Sequence, residues 1–454
     1  MTEPVDPIGG DTNAVEGSNA VGRQSLGLLV ANVIGNAGFF VGALILARSL
    51  GPSGRGVMAF FIVSALVGSR LVSLGITDAA SVFAARYPER RSAVLGNAAL
   101  VGTVSGILGG GLLACVLALV ETLLPKGVDG TMLALLAGGI CANTLSAGAT
   151  GFLRGCGRLR AYGRINATMP WLYALGLVGM WVGPGIDVLR AAAAWVGYAV
   201  FTAIVSLVAA IRVDGVSKPE RQLVLESMAF GVRDWVGSLA GILNARVDQI
   251  IIGLITTEAI LGLYSVAVNV SEVLLYLPAA TATALLPTIL QSAPELRVAQ
   301  TLMVFRRLTV TTGIGVLAAV CVGVPLIPIV FGSAFRDSTL PFVILLPGGL
   351  GYGALVVAEA ALLAVGSPGR ASLAMVVALC VGVVLDLLLV PPFGASGAAA
   401  AATAAFVAGG ATGMAFFRRN NSFLWKEARP GWPDVVAVIR AARSTMRPLA
   451  LIRT

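Results

Sequence analysis

In the largely apolar stretch Leu261–Ala280, Ser265, Asn269, Glu272 and Tyr276 recur on one helical face at spacings of four, three and four residues. A second apolar stretch carries Arg233, Gly237, Gly241, Asn244 and Asp248 on one face, with Arg246 projecting elsewhere from the same helix. Asn32 and Asn36 stand four apart in a third stretch, and Arg70, Ser73 and Thr77 share a fourth. A guanidinium such as that of Arg246 or Arg70 can grip a phosphate with paired N–H donors. Glu272 and Asp248 can balance that charge, or take up a proton or cation and so couple ion flow to movement. Isolated acids at Glu359 and Asp386 leave the same choice open between ion coupling and a structural pair. Asn32, Asn36, Asn244, Asn269 and Tyr276 are the neutral polar groups expected to line a substrate cavity.

This is binding chemistry and not catalysis. The chain has no histidine, its five cysteines show no ligand spacing, and there is no phosphate-binding loop or dinucleotide fingerprint. No enzyme activity, cofactor or metal is expected. Cys115, Cys141, Cys156, Cys321 and Cys380 read as small buried residues.

Such side chains need elements that bury them. Only 12% of the 454 residues are charged, against about 25% in soluble domains, so a water-facing surface cannot be made. The 57% of hydrophobic residues gather into runs long enough to cross a bilayer. The expected fold is an all-α polytopic membrane protein with about twelve transmembrane helices. The first six spans are 26–50, 56–78, 93–120, 131–153, 165–184 and 191–211; the second six are 227–255, 260–287, 308–330, 339–363, 371–391 and 396–417.

Basic residues crowd one set of loops: Arg86, Arg90 and Arg91; Arg154, Arg158, Arg160 and Arg164; Arg212, Lys218 and Arg221; and the tail after Phe417. Basic loops stay cytoplasmic, so both termini are expected inside, and the net charge of +9 is mainly this topology signal and not a nucleic-acid surface. The expected organisation is a disordered cytoplasmic tail over 1–24, a six-helix lobe over 25–211, a cytoplasmic linker over 212–226, a second six-helix lobe over 227–417 and a basic cytoplasmic tail over 418–454. That last tail, with Trp425, Trp432 and spaced arginines, either lies against anionic lipid or is simply solvated. The loop Arg154–Arg164 either greets an anionic head group or serves only to set topology. Arg48, at the end of the first span, reads as an arginine reaching for the interface.

Two patterns recur half a chain apart. LARSLGPSGRGVMAFF (46–61) is echoed by IGLITTEAILGLYSVAV (252–268), and FLRGCGRLRAY (152–162) by LLAVGSPGRAS (362–372), at offsets near 205 to 211 residues. A duplicated six-helix unit explains both echoes. Six crossings return the chain to its starting side, so the two lobes are expected to be pseudo-symmetric about the membrane normal, an arrangement suited to alternating access.

The segments SLGPSGRGVMAFF (49–61), LRGCGRLRAYGRINATMPWLY (153–173), FGVRDWVGSLAGILNARVDQIIIGLITTEAILGLYSVAVNVSEVLLYLP (230–278), FGSAFRDSTLPFVILLPG (331–348) and the run over 365–402 resemble the polysaccharide transporter family, the Wzx-type oligosaccharide flippases of the multidrug/oligosaccharidyl-lipid/polysaccharide exporter superfamily. The family's ARLDQ-like segment falls on Ala245–Gln249 and its LGLYSVA-like segment on Leu261–Ala267, while TTEAI (256–260) replaces the more usual glycine–proline turn. The resemblance implies a flippase turning an undecaprenyl-diphosphate-linked oligosaccharide from the inner to the outer leaflet of the bacterial inner membrane, with H+ or Na+ as coupling ion. It implies polysaccharide polymerase and glycosyltransferases as partners, beside membrane lipids. A peptidoglycan-precursor flippase, a drug/cation antiporter and a non-transporting membrane scaffold are the alternatives.

Overall fold

The computed structural model describes residues 11–450 apart from 121, 123 and 422; these are mostly helical, with no strand among them. In chain order the helices are α1 (Asp11–Val72), α2 (Ile76–Arg86), α3 (Arg91–Leu119), α4 (Gly130–Gly155), α5 (Leu159–Val182), α6 (Val188–Asp214) and α7 (Arg221–Ile255). They continue with α8 (Glu258–Gln291), α9 (Pro294–Phe331), α10 (Thr339–Leu345), α11 (Gly348–Ala364), α12 (Pro368–Asn420) and α13 (Trp432–Ala450). Among the described residues, nine helices are long and apolar enough to cross a membrane, or ten if Ser333–Leu345 and Gly348–Ala364, bent by 44°, form one span.

Two of these helices are too long for one crossing. At 62 residues, α1 would extend about 93 Å, against roughly 30 Å of hydrocarbon. It breaks at Gly51 (φ 66, ψ −174), where a side chain would be strained, and Pro52 starts the next helical turn with its φ already set. The 53-residue α12 breaks in the same way at Gly394 (φ 55, ψ −131), just after Pro391 and Pro392. Both breaks fall where the sequence separates spans, between 50 and 56 and between 391 and 396.

The expected disordered lead differs in part. Residues 1–10 lie outside the described residues, but the backbone is helical from Asp11. The expected linker over 212–226 is also shorter, because α6 runs to Asp214 and α7 begins at Arg221.

By packing, the chain divides into two compact units. One comprises Met1–Ile45, Gly68–Val116 and Thr131–Trp235. Its core joins Ile76, Phe83, Leu95, Phe152, Leu153, Ile165 and Leu223. The loop after α6 is tied to the start of α3: Ser217 N–H donates to the Ser92 carbonyl at 3.1 Å, Asn97 Oδ1 accepts from Glu220 N–H at 2.9 Å, and Glu220 pairs with Arg90. Arg91 reaches Asp214 at 3.5 Å beside them.

The other unit comprises Leu46–Val67, Leu117–Gly130 and Val236–Thr454. Its core gathers Leu285, Leu302, Leu308, Val357, Ala361, Met414 and Phe417. Here the second part of α1 crosses the start of α8 with the backbones almost touching. A methyl group at Gly56 would strike the Glu258 carbonyl, and one at Gly262 would strike the Pro52 carbonyl. In a bilayer, where lipid tails are as apolar as leucine, such small-residue crossings gain their energy from close packing.

The second echo is visible as matched helix ends. In α4 the Gly157 N–H donates to the Arg154 carbonyl and the Arg158 N–H to that of Leu153; in α11 the Gly366 N–H donates to Leu363 and the Ser367 N–H to Leu362. Both glycines take left-handed backbones, φ 70 and φ 72. This is one and the same termination motif, a Schellman turn with glycine at its left-handed position.

Candidate functional site

Helices α7 and α8 form an antiparallel hairpin around Thr256 and Thr257. Thr256 Oγ1 donates to the Ile252 carbonyl at 2.7 Å, closing α7, and Thr257 in extended conformation opens α8. The hairpin register brings together residues placed symmetrically about this turn. Asp248 meets Tyr264, which lies at the same remove on α8, and the tyrosine O–H donates to the carboxylate. Arg246, two residues earlier on α7, reaches Glu272, eight residues beyond Tyr264 on α8, with Nη1 at 2.5 Å from Oε1 and Nη2 at 3.4 Å from Oε2. The pair is half-buried, at 22% and 26% exposure, and therefore neither dry nor freely solvated.

Asp248 has a second donor in the Gln249 N–H at 2.7 Å. On α12, Asp386 is only 1% exposed, and its Oδ1 lacks a hydrogen-bond partner among the described residues. A buried carboxylate oxygen without a donor is costly to leave unpaired in an apolar setting. Asn244 donates to the Met375 carbonyl at 3.0 Å, joining α7 to α12.

Other expected site residues are distributed differently. Asn32, Asn36 and Arg70 belong to the first unit, with Asn32 exposed and the other two half-buried. The Arg70 carbonyl accepts from Trp235 Nε1 at 2.8 Å and from Ser73 Oγ at 2.9 Å. On α8, Ser265 is buried and donates to the Gly262 carbonyl, so it serves its own helix and not a cavity. Asn269 is half-buried and Tyr276 is 43% exposed. Glu359 is half-buried on α11 and makes no ion pair among the described residues.

Arg154 pairs with Asp78 at 3.5 Å and stacks over Tyr162. Arg158, Arg160 and Arg164 are exposed. Arg48 does not reach for the interface but donates to the Val330 and Ile329 carbonyls at 2.7 and 2.6 Å, capping the end of α9. Of the five cysteines, all free, Cys115, Cys321 and Cys380 are exposed and not buried, because an apolar side chain on a membrane helix can face lipid as easily as protein. Tyr264 is the functional candidate that the sequence reading passed over. A fully buried tyrosine in an apolar helix reads as core, and only its symmetry with Asp248 about the turn could have singled it out.

A family model described as polysaccharide biosynthesis protein matches residues 21–293. No curated protein matches the chain. Among solved structures, the lipid II flippase MurJ in an inward closed conformation is similar at a TM-score of 0.70 and 12% identity, covering 89% of this chain and 88% of that one. An inward-facing MATE multidrug resistance transporter of the MOP superfamily reaches 0.66 at 14% identity, covering 86% of this chain and 98% of its own. A MOP-superfamily transporter from Pyrococcus furiosus gives 0.55 at 15% identity over 88% and 95%. At these identities the likeness is one of fold. The fold is that of MOP-superfamily transporters, and with its many apolar helices the molecule is a multi-pass membrane protein.

Proposed function

Because the chain belongs to the polysaccharide biosynthesis protein family, we propose that it is a flippase for a lipid-linked oligosaccharide, carrying an undecaprenyl-diphosphate-linked glycan from the inner to the outer leaflet of a bacterial inner membrane. The observation that carries this reading is the two-point pair between Arg246 and Glu272. A carboxylate presents two oxygens to a guanidinium, and so does a phosphate. Glu272 thus holds the arginine charged and oriented while the site is empty, and a diphosphate takes its place on loading. A sugar head bearing a diphosphate cannot cross hydrocarbon unaided, whereas its lipid tail can stay in the bilayer.

Release of Glu272 leaves a negative charge that must be compensated. Asp248 and Asp386 are the acids we assign to a coupling ion, H+ or Na+, with Glu359 as a further candidate. Loading and unloading of that ion biases the two access states. Asn244, Asn269 and Tyr276 are assigned to polar contacts with the sugars, and so, separately, are Arg70, Asn32 and Asn36. Arg158, Arg160 and Arg164 meet the head group at the cytoplasmic surface. Glycosyltransferases would supply the substrate and a polysaccharide polymerase would receive it.

In the same reading α1 and α12 each cross twice, at their glycine breaks, and the bent pair crosses once. With the remaining long helices this gives twelve crossings in two lobes of six, 25–211 and 227–417. Both termini then lie in the cytoplasm, as the basic loops require.

The test is leaflet-selective labelling of lipid-linked glycan in cells with and without the gene. Build-up on the cytoplasmic side after deletion, reversed by the wild-type chain but not by Arg246→Ala at equal abundance, is the expected result. Equal distribution between leaflets in both strains would end the proposal.

A further inference from the structure

Helix α13 is fastened where an apolar span begins. With 38 residues, α9 extends about 57 Å, well beyond roughly 30 Å of hydrocarbon, and its uninterrupted apolar stretch starts just after Arg306 and Arg307. Arg306 is the anchor: its Nε lies 3.2 Å from Asp434 Oδ2, and its Nη1 donates to the Glu427 carbonyl at 2.6 Å. Asp434 also accepts the Gly431 N–H at 2.9 Å, so one buried carboxylate both caps α13 and pins it to α9. Helix α13 is thereby held at the boundary between polar and apolar surroundings.

The side of α13 turned away from this anchor is uncovered. Trp432 is 75% exposed and Ile439 41%, and their seven-residue separation puts them on one helical face. Arg440 follows on the exposed surface, Arg429 precedes it, and the sequence of the helix continues with Arg443 and Arg447. Asp434, the only acid of the helix, is already neutralised by Arg306. Nearby, Trp425 is 43% exposed with Arg418 stacked on it at 5.3 Å. Tryptophan beside arginine is the pairing of a membrane interface, where the ring sits among the head groups and the cation meets phosphate.

We propose that α13 lies on the cytoplasmic leaflet as an interfacial helix, with Trp432 and Ile439 inserted at the acyl boundary and its arginines on anionic phospholipid head groups. A second copy of the same helix is a poor occupant, since it would bring like charge to like charge. The negative leaflet surface supplies the opposite sign.

The experiment places a nitroxide at Ile439→Cys in the full chain freed of its native cysteines, reconstituted in phosphatidylcholine vesicles with and without phosphatidylglycerol. Power saturation compares accessibility to oxygen, which partitions into lipid, with that to a water-soluble nickel complex. Oxygen access is expected to exceed nickel access, more so with phosphatidylglycerol. The added substitutions R440Q, R443Q and R447Q should remove the dependence on anionic lipid. Greater nickel access in both vesicles means a solvated helix, and low access to both reagents means a protein-covered face; either outcome overturns the proposal. A label at Trp432→Cys gives an independent reading should the first variant fold poorly.

Discussion

Gly56 and Gly262 face each other backbone to backbone, each pressed against the carbonyl four residues before the other, at Glu258 and at Pro52. The two glycines hold corresponding positions in the first pair of echoed segments. The contact is therefore reciprocal, each segment meeting the other in the same way.

Gly56→Ala should be more damaging than its size suggests. The new methyl would meet a carbonyl that cannot rotate away, so the helices must separate, at a cost of about 1–3 kcal/mol. Gly111→Ala, in α3 with no neighbour near its would-be Cβ, should be neutral or slightly stabilising. Thermal unfolding in detergent compares the two. Equal melting temperatures would show that the crossing has room to spare.

Removing one partner of the Arg246–Glu272 pair should destabilise more than removing both. Glu272→Leu leaves a half-buried guanidinium without its carboxylate, a loss of about 3 kcal/mol. The double variant Arg246→Met/Glu272→Leu should recover most of it. Denaturant unfolding of the single and double variants decides the matter, and identical losses would mean that the pair is not coupled.

Tyr264→Phe deletes the hydroxyl that donates to Asp248 while keeping the ring in its buried slot. Stability should fall by about 1–3 kcal/mol. A carboxylate deprived of its donor also holds a cation or proton more tightly. Transport should therefore half-saturate at a lower concentration of the coupling ion. An unchanged ion dependence would remove Asp248 from the coupling scheme.

The arginines after α4 should separate into two kinds. Arg154→Gln breaks the contact with Asp78 and the stacking on Tyr162, and should lower stability by about 1 kcal/mol. Substituting Arg158, Arg160 and Arg164 together should leave stability intact while weakening substrate engagement from the cytoplasmic side. Melting temperature and transport rate, measured on the same preparations, distinguish the classes. Parallel losses in both sets would refute the division.

What could be read from sequence was local in origin. The breaks at Gly51 and Gly394 are written in adjacent glycine and proline residues, and the Schellman turns at Gly157 and Gly366 need only a few neighbouring positions. The Arg246–Glu272 pair was half legible, since each residue conflicts with an apolar helix and demands an answer from elsewhere. Which helix would answer is a matter of register, and no single segment encodes it. The link from Arg154 to Asp78 stayed hidden because it joins separate helices, and Tyr264 because an aromatic ring in an apolar run looks like filling. The contact of Asn244 with Met375 needed α7 and α12 to be brought together, which hydropathy cannot foresee.

The reciprocal crossing also bears on how the chain is made. Synthesis proceeds from the N-terminus, so Pro52 and Gly56 emerge and enter the bilayer long before Gly262 exists to meet them. During that interval the newly inserted segment presents bare peptide carbonyls and no bulky side chain at its contact face, a surface that any other small-residue helix could occupy. Correct assembly then depends on keeping that place vacant until α8 arrives, and a delay in translation between the two would show up as misassembled protein even when the finished sequence is unaltered.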